Sequence, residues 1–545
     1  MKQRCSRKYR TMGIRFILTM LMTGMLIPFS YGQSKTGEAP TVVRILIPEK
    51  KQKIDPMIYG QMLENVNDSM IYGGIADLRG NERLHVTEKL KTLRIPVMRW
   101  PGGTVIHEYR WKNGIGPREK RPVLETFAWK GTENYQFGTD EFLQWCQRVG
   151  TAPYINFNMG NDPVHQGTLQ EALDWVEYVN GPVSSPYGRL RAENGHPEPY
   201  GVRYWCIGNE NYGPWGRHGG ETADQYAIKL QVWAQMIKGR HPDLSLLAVG
   251  RTAGWNDTVL QKTGEYLDFL TQHYYGASRV KDGIAESPEN ILFAPVKMEV
   301  HLEKLEEGLA AANKRLGRAD TNPIRVSIDE WNNRHSVYNG TEYQLNRQAP
   351  RRQLDAAVVA GMLNVFIRQC HTVGMANYIF PVNSHGLIRT VGNHDVYETP
   401  LFQVFKQYRD WMTGSRLESV VEGPGVPAEQ LEPAITGDCD EVRLREGSLP
   451  YIDAAAVQDD GGDIVLSLVN RSADKILRVE VELPDRYVIS ETWSQSHPNI
   501  FATNTAEDRN VARPRSEKLK ARKGKVHIPV PACGIYLLRL KPSIG

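Results

Sequence analysis

From about residue 56 to residue 400, short apolar runs alternate with stretches whose apolar positions recur at helical spacing, the pattern of βα units around a parallel sheet. The runs that read as strands are Met57–Gly60, Val97–Trp100, Tyr154–Asn158, Val202–Gly208, Leu246–Gly250, Phe269–His273, Val326–Asp329 and Met375–Phe380. These eight runs are the number that closes a (β/α)₈ barrel whose loops carry insertions. An open doubly wound sheet is the alternative, but the chain holds no GxGxxG or phosphate loop. Thr168-Leu169-Gln170-Glu171 and Thr222-Ala223-Asp224-Gln225 are capping boxes, and the second helix is expected to end near Gly239. Gln353–Cys370 is apolar on most faces, as a helix pressed against a barrel would be.

After about residue 415 the period changes from helical to two. Leu477, Val479, Val481 and Leu483 alternate with Arg478, Glu480 and Glu482, which marks a half-buried strand. Ile464–Val469 and Ile535–Leu540 are further strands, and the early run Val42–Ile47 is placed to join them. The fold class is therefore α/β: a TIM barrel over residues 56–400, then a C-terminal antiparallel β-sandwich over 401–545 that takes in a strand from about 41–48.

Composition changes this picture little. Of 545 residues, 41% are hydrophobic and 23% charged, which argues against disorder, collagen-like repeats and coiled coils. The first 32 residues read as a secretory signal: a basic stretch from Lys2 to Arg15, an apolar run from Phe16 to Phe29, then Ser30-Tyr31-Gly32 as a cleavage site. An exported chain, periplasmic or extracellular, is expected, with no membrane span after cleavage. Without the leader, 60 basic residues face 62 acidic ones, so the charge offers nothing to a nucleic acid. Outside Cys5 of the leader, Cys146, Cys206, Cys370, Cys439 and Cys533 show neither disulfide nor metal spacing and read as buried small hydrophobes.

In such a barrel, chemistry sits where strands run into βα-loops. Arg203-Tyr204-Trp205-Cys206-Ile207-Gly208-Asn209-Glu210 is an apolar run ending in an acid, and Arg325-Val326-Ser327-Ile328-Asp329-Glu330 is a second. These are the fourth and seventh strands, which face one another across the barrel mouth. Glycoside cleavage needs a proton for the leaving oxygen and negative charge beside a developing oxocarbenium ion, and two carboxyl groups supply both. One must be held protonated and the other ionised. The plainer reading makes each acid a structural ion-pair partner at a sheet edge.

At these residues the chain resembles the α-L-arabinofuranosidases of glycoside hydrolase family 51. The likeness spans roughly residues 40 to 540 and includes Ile58-Tyr59-Gly60 leading to Glu64, Ile71-Tyr72-Gly73-Gly74-Ile75, Arg99-Trp100-Pro101-Gly102-Gly103, Tyr109-Arg110-Trp111 and Gly114-Ile115-Gly116-Pro117-Arg118. Phe137-Gly138-Thr139-Asp140-Glu141-Phe142, Gly208-Asn209-Glu210 and Asp329-Glu330-Trp331-Asn332 continue it.

The resemblance implies a barrel with a β-sandwich, retention of configuration, no cofactor and no metal. It makes Glu210 the general acid/base and Glu330 the nucleophile. Asn209 would bond the sugar 2-hydroxyl, Glu64 would hold other hydroxyls, and His273 with Tyr274 or Tyr275 would match a His-plus-Tyr element that positions the nucleophile. Two positions depart: Thr104 stands where many members have Asn, and Gly386 where many have Gln, which leaves His385 or Asn383 as substitute partners.

The expected activity is exo-removal of terminal non-reducing α-L-arabinofuranose from arabinan, arabinoxylan or their oligosaccharides. Assembly into a homo-oligomer is a weaker implication of the resemblance. A retaining glycosidase for a β-xyloside or β-glucan, or a carbohydrate-binding barrel without catalysis, remain the alternatives. Tyr212, Trp215, Trp331 and Trp255 are candidates to stack on sugar rings, with core packing favoured for Trp255. His165, His218 and His394 lie in loops without neighbours at metal-ligand spacing, and Lys518–Lys523 reads as a solvated loop.

Overall fold

A computed structural model describes residues 39–432 apart from 68 and 216, residue 442, and residues 444–543. The leader and Cys439 lie outside the described residues. The chain enters through β1 (Thr41–Leu46), which belongs to the second domain. The barrel follows as β2 (Gly60–Met62), β3 (Val97–Trp100), β4 (Ala152–Phe157), β5 (Tyr204–Ile207), β6 (Ser245–Ala248), β7 (Phe269–Lys281) and β8 (Arg325–Tyr338). After the short β9 (Tyr343–Leu345), β10 (Val373–Tyr378) completes it. Neighbouring barrel strands pair in parallel, and β10 pairs with β2, Asn377 opposite Gly60, so the ring is closed. Closure leaves Gly60 no room for a side chain, since a Cβ there would meet Ala376 O at 2.7 Å.

Three strands differ from the sequence expectation. Pro56–Tyr59 is a 3₁₀ turn rather than a strand: Asp55 accepts from Met57 N at 3.1 Å, Pro56 opens the turn, and pairing begins only at Gly60. The runs at Phe269 and Val326 are the opening parts of far longer strands, because β7 and β8 stay paired out to Val280 and Val337.

Thr168 and Thr222 cap α1 (Leu169–Asn180) and α2 (Ala223–Arg240) through reciprocal bonds with Glu171 and Gln225. The apolar α3 (Gln353–Arg368) lies between the barrel and the second domain, and its buried polar groups are paired there. Gln353 donates to Cys533 O at 2.8 Å and Asn364 to Asp453 Oδ2 at 2.7 Å. The helical layer runs past residue 400: α4 (Pro400–Trp411) follows β10, and its Tyr408 hydroxyl donates to Asn364 Oδ1 at 3.0 Å.

The second domain adds β11 (Ser415–Glu422), β12 (Ile452–Gln458), β13 (Ile464–Asn470), β14 (Leu477–Glu482), β15 (Tyr487–Gln495), β16 (Lys525–Val530) and β17 (Ile535–Pro542). Their order is β15-β17-β13-β12-β11-β1-β14-β16, and the sheet curls around one core that includes Val43, Leu466, Val479, Ile528 and Leu538. One pairing breaks the expected antiparallel pattern. β1 runs parallel to β14, Val43 opposite Val481, because it reaches the sheet from before the barrel rather than through a hairpin. β13 is buried on both faces: Leu466 and Leu468 point into the sheet's own core, while Val465 and Val469 join the barrel's core.

Cys146, Cys206, Cys370 and Cys533 are free and buried. Among the described residues, no helix is long and apolar enough to cross a membrane.

Candidate active site

The C-terminal ends of the barrel strands open into a cavity of about 530 Å³ whose lining includes Glu64, Thr104, Trp215, Glu210, Tyr275 and Glu330. Glu210 follows β5 in a tight turn. Gly208 takes φ +92° and Glu210 itself φ +42°, a left-handed conformation uncommon outside glycine. The turn is tied by Asn209 N donating to Asn211 Oδ1 at 3.0 Å and Gly213 N to Glu210 O at 2.7 Å. Strain of this kind is kept where the surrounding structure fixes a side chain's aim.

Glu330 lies inside β8, with both oxygens engaged. Oε1 accepts from Arg99 Nη1 at 2.7 Å, and Oε2 accepts from the Tyr275 hydroxyl. Arg99 crosses beneath from β3, fully buried. It donates to Asn209 Oδ1 at 2.6 Å and lies 3.4 Å from Asp329. Gly103 packs so closely on Glu330 Oε1 that any side chain there would displace the carboxylate.

His273 links the two acids. Its Nδ1 is 2.6 Å from Glu210 Oε1 and 3.6 Å from Glu330 Oε2, and its Nε2 is 3.2 Å from Asp329 Oδ1. One oxygen of each glutamate and one ring nitrogen of His273 all lie within 4.8 Å of one another. Three such donors also resemble a cation site. Here, however, Arg99 and Tyr275 already satisfy Glu330, and His273 is bonded to Glu210.

Burial works against charge on His273, yet Glu330, Glu210 and Asp329 together hold its pKa well above the ordinary imidazole value. Burial likewise favours the neutral form of Glu210, but the adjacent imidazolium outweighs it and pulls the carboxyl down to about 2. In the free site the shared proton therefore sits on His273, one hydrogen bond from Glu210. Glu64 is raised to about 7, by burial first and then by the charge of Glu330, although Val105 N and Trp129 Nε1 donate to it at 3.0 and 2.9 Å.

The remaining expected residues divide. Thr104 and Trp215, the latter 42% exposed, line the cavity. Asn209 is buried, and its Nδ2 has no protein partner. Tyr274 does not join them: its hydroxyl donates to Ala294 O at 3.0 Å, so Tyr275 fills the His-plus-Tyr element. Asn383 is also turned away. Its Nδ2 donates to Ser69 O and its Oδ1 accepts from Thr390 N, whereas His385 lines the cavity. Trp331 is core, edge-on to Phe366 and Tyr378, and Trp255 is core as expected, donating to Val249 O. Tyr212 is 5% exposed and packs edge-on against Trp215 and Trp255.

Four groups at the site were not singled out from sequence: Arg99, Asp329, His107 and His218. An arginine inside the apolar run Val97–Trp100 was the available signal for Arg99. His107 Nε2 donates to Asn209 O at 2.6 Å. His218, read only as a loop histidine, is fully buried. It donates from Nδ1 to Trp215 O at 2.8 Å and faces Glu210 Oε2 with Nε2 at 3.8 Å.

An eight-stranded barrel with two glutamates converging at its mouth, one hydrogen-bonded to an arginine and a tyrosine, defines a glycoside hydrolase. Residues 89–290 match the family model described as alpha-L-arabinofuranosidase 1 domain, and residues 329–533 match the alpha-L-arabinofuranosidase C-terminal domain. The chain is 33% identical to a probable alpha-L-arabinofuranosidase C of Aspergillus terreus, over 83% of this chain and 88% of that relative. It is 28% identical to an intracellular exo-alpha-L-arabinofuranosidase of Bacteroides ovatus, over 93% and 97%. Among solved structures, the thermostable family 51 alpha-L-arabinofuranosidase of Thermotoga petrophila superposes with a TM-score of 0.79 at 28% identity, covering 92% of this chain and 100% of that one. The chain belongs to the α-L-arabinofuranosidases of glycoside hydrolase family 51.

Proposed function

We propose that the protein is a retaining, exo-acting hydrolase of terminal non-reducing α-L-arabinofuranosides on plant polysaccharides such as arabinan or arabinoxylan. The supporting observation is the approach of Glu210 and Glu330 to within 4.8 Å, oxygen to oxygen. A retaining pair stands roughly 5–5.5 Å apart, and an inverting pair about 6.5–9.5 Å, to admit a water.

In the first step Glu330 attacks the anomeric carbon. The leaving oxygen takes the proton that His273 holds beside Glu210, delivered through Glu210. In the second step Glu210 removes a proton from water, which displaces Glu330 and restores the starting configuration. Arg99 and the Tyr275 hydroxyl each hold one oxygen of the nucleophile and so aim it. Asn209 Nδ2 is available to a sugar 2-hydroxyl, a bond that strengthens as the ring charge develops.

Hydrolysis of 4-nitrophenyl α-L-arabinofuranoside, β-D-xyloside and β-D-glucoside, with the first-formed sugar anomer followed by NMR, tests the reading. Arabinofuranoside should dominate and release the α-anomer first. A xyloside or glucoside preference, or a β-arabinose product, would overturn it.

The shared proton sets the alkaline limit. As pH rises through the raised pKa of His273 the proton leaves and the first step fails, so activity should persist above the ordinary imidazole value near 6.5. In His273→Asn, a neutral donor to Glu210 remains but the titrating group is gone. The alkaline limb of kcat is expected to move to lower pH by about one unit or more. An unmoved limb would show that the proton is held elsewhere.

A further inference from the structure

Arg217, on the loop after β5, fastens three loops of the barrel mouth together. Its Nε donates to Glu108 Oε2 at 3.0 Å, in the loop after β3, and its Nη1 to Asp162 Oδ2 at 2.7 Å, in the loop after β4. The guanidinium also lies over the exposed ring of Phe127, 4.8 Å from the centroid. The three charged side chains are at most 23% exposed, so solvent screens them poorly. Without the guanidinium, two carboxylates that now share one cation would repel each other, and the loops would part.

The consequence is unequal among the loops. Glu108 also accepts from Phe127 N and Ala128 N at 3.1 and 3.0 Å, and Asp162 from Val164 N and His165 N at 2.9 and 3.0 Å. Trp129 keeps its own bond to Glu64. These ties do not depend on Arg217. On the Trp215 loop, Gly220 N donates to Gly213 O at 2.9 Å and His218 Nδ1 to Trp215 O at 2.8 Å, bonds that fold the loop on itself. Arg217 carries that loop across to its neighbours. Glu210 passes the proton to the leaving oxygen, so the leaving group enters on Glu210's side of the cavity. Trp215 stands on that side: His218, which holds its carbonyl, faces Glu210 Oε2, and the indole lines the cavity. The indole rests on Gly213, where a Cβ would meet it at 2.7 Å, and a ring so placed can carry the apolar face of a sugar.

We propose that Arg217 is a positioning residue for the leaving group: by gripping Glu108 and Asp162 together it fixes the Trp215 loop, and with it the platform that binds the sugar next to the arabinose. The inference rests on the function proposed above and names a residue that governs the leaving-group side of that site.

The test reads the two sides of the cavity separately. In Arg217→Gln, KM for arabino-oligosaccharides is expected to rise about tenfold while kcat stays within about twofold. The inhibition constant of free L-arabinose, which fills the ring site beside Glu64 and Asn209, should stay within about twofold, because Glu108 and Trp129 keep their own bonds. Arg217→Lys keeps the charge and should recover part of the lost affinity. In a Trp215→Ala background the same Arg217→Gln change should add less than about twofold, since the platform it holds is already gone. An unchanged KM in Arg217→Gln would overturn the proposal, as would an equal rise in the Trp215→Ala background. A parallel rise in the arabinose inhibition constant would do the same, by showing a general loosening of the site. A parent enzyme that leaves 4-nitrophenyl α-L-arabinofuranoside intact would instead overturn the proposed function.

Discussion

Glu330→Gln is expected to lower kcat on 4-nitrophenyl α-L-arabinofuranoside by about 10⁴-fold or more, because an amide does not form the covalent intermediate. The fold should survive. The amide oxygen still accepts from Arg99, which also keeps Asn209 at 2.6 Å and Asp329 at 3.4 Å, so the buried guanidinium is not stranded. The smaller Glu330→Ala leaves room beside the anomeric carbon. Added azide should then attack directly and yield the β-arabinofuranosyl azide, with the proton still delivered to the leaving oxygen through Glu210. Activity near the parent level in Glu330→Gln would remove this residue from the chemistry. So would an α-azide from Glu330→Ala.

How much of this was legible in the sequence depends on how local each cause is. Glu210 stood out because an apolar run ends on it, and β5 does stop at Ile207. Glu330 was found by the same signal, although β8 continues past it, since the extension is held by pairing with β7 and β9 rather than by a hydrophobic run. Strand alternation contained more than was taken from it. His273 and Tyr275 share a face and Tyr274 points to the other, so period two alone separates the tyrosine that meets Glu330 from the one that bonds Ala294 O. The same rule places Trp331 opposite Glu330, in the core.

Other features were not local. Arg99 meets Glu330 only when the barrel closes, across 231 positions of sequence. The parallel pairing of β1 with β14 likewise joins segments on either side of the whole barrel. Asn383 and His385 sit in a loop after β10, where both take positive φ and no periodicity says which one faces the cavity.

Glu210→Ala separates the second carboxyl from the first by its dependence on the leaving group. On arabino-oligosaccharides, whose leaving alkoxide needs a proton, kcat/KM is expected to fall by about 10²–10⁴-fold. On 2,4-dinitrophenyl α-L-arabinofuranoside the first step needs no proton, so the loss is confined to the second, where no base activates water. The covalent intermediate should then accumulate, seen as a burst of phenolate and a lowered KM. Azide needs no base, so it should restore turnover and give the α-azide, because it attacks Glu330's adduct from the face that water uses. The two alanine variants thus predict opposite anomers from one nucleophile. The proton held by His273 does not replace Glu210: its Nδ1 faces Glu210 Oε1 at 2.6 Å, and the glutamate stands between that proton and the leaving oxygen. Equal losses on good and poor leaving groups, or the same azide anomer from both variants, would show that Glu210 is not the residue that exchanges the proton.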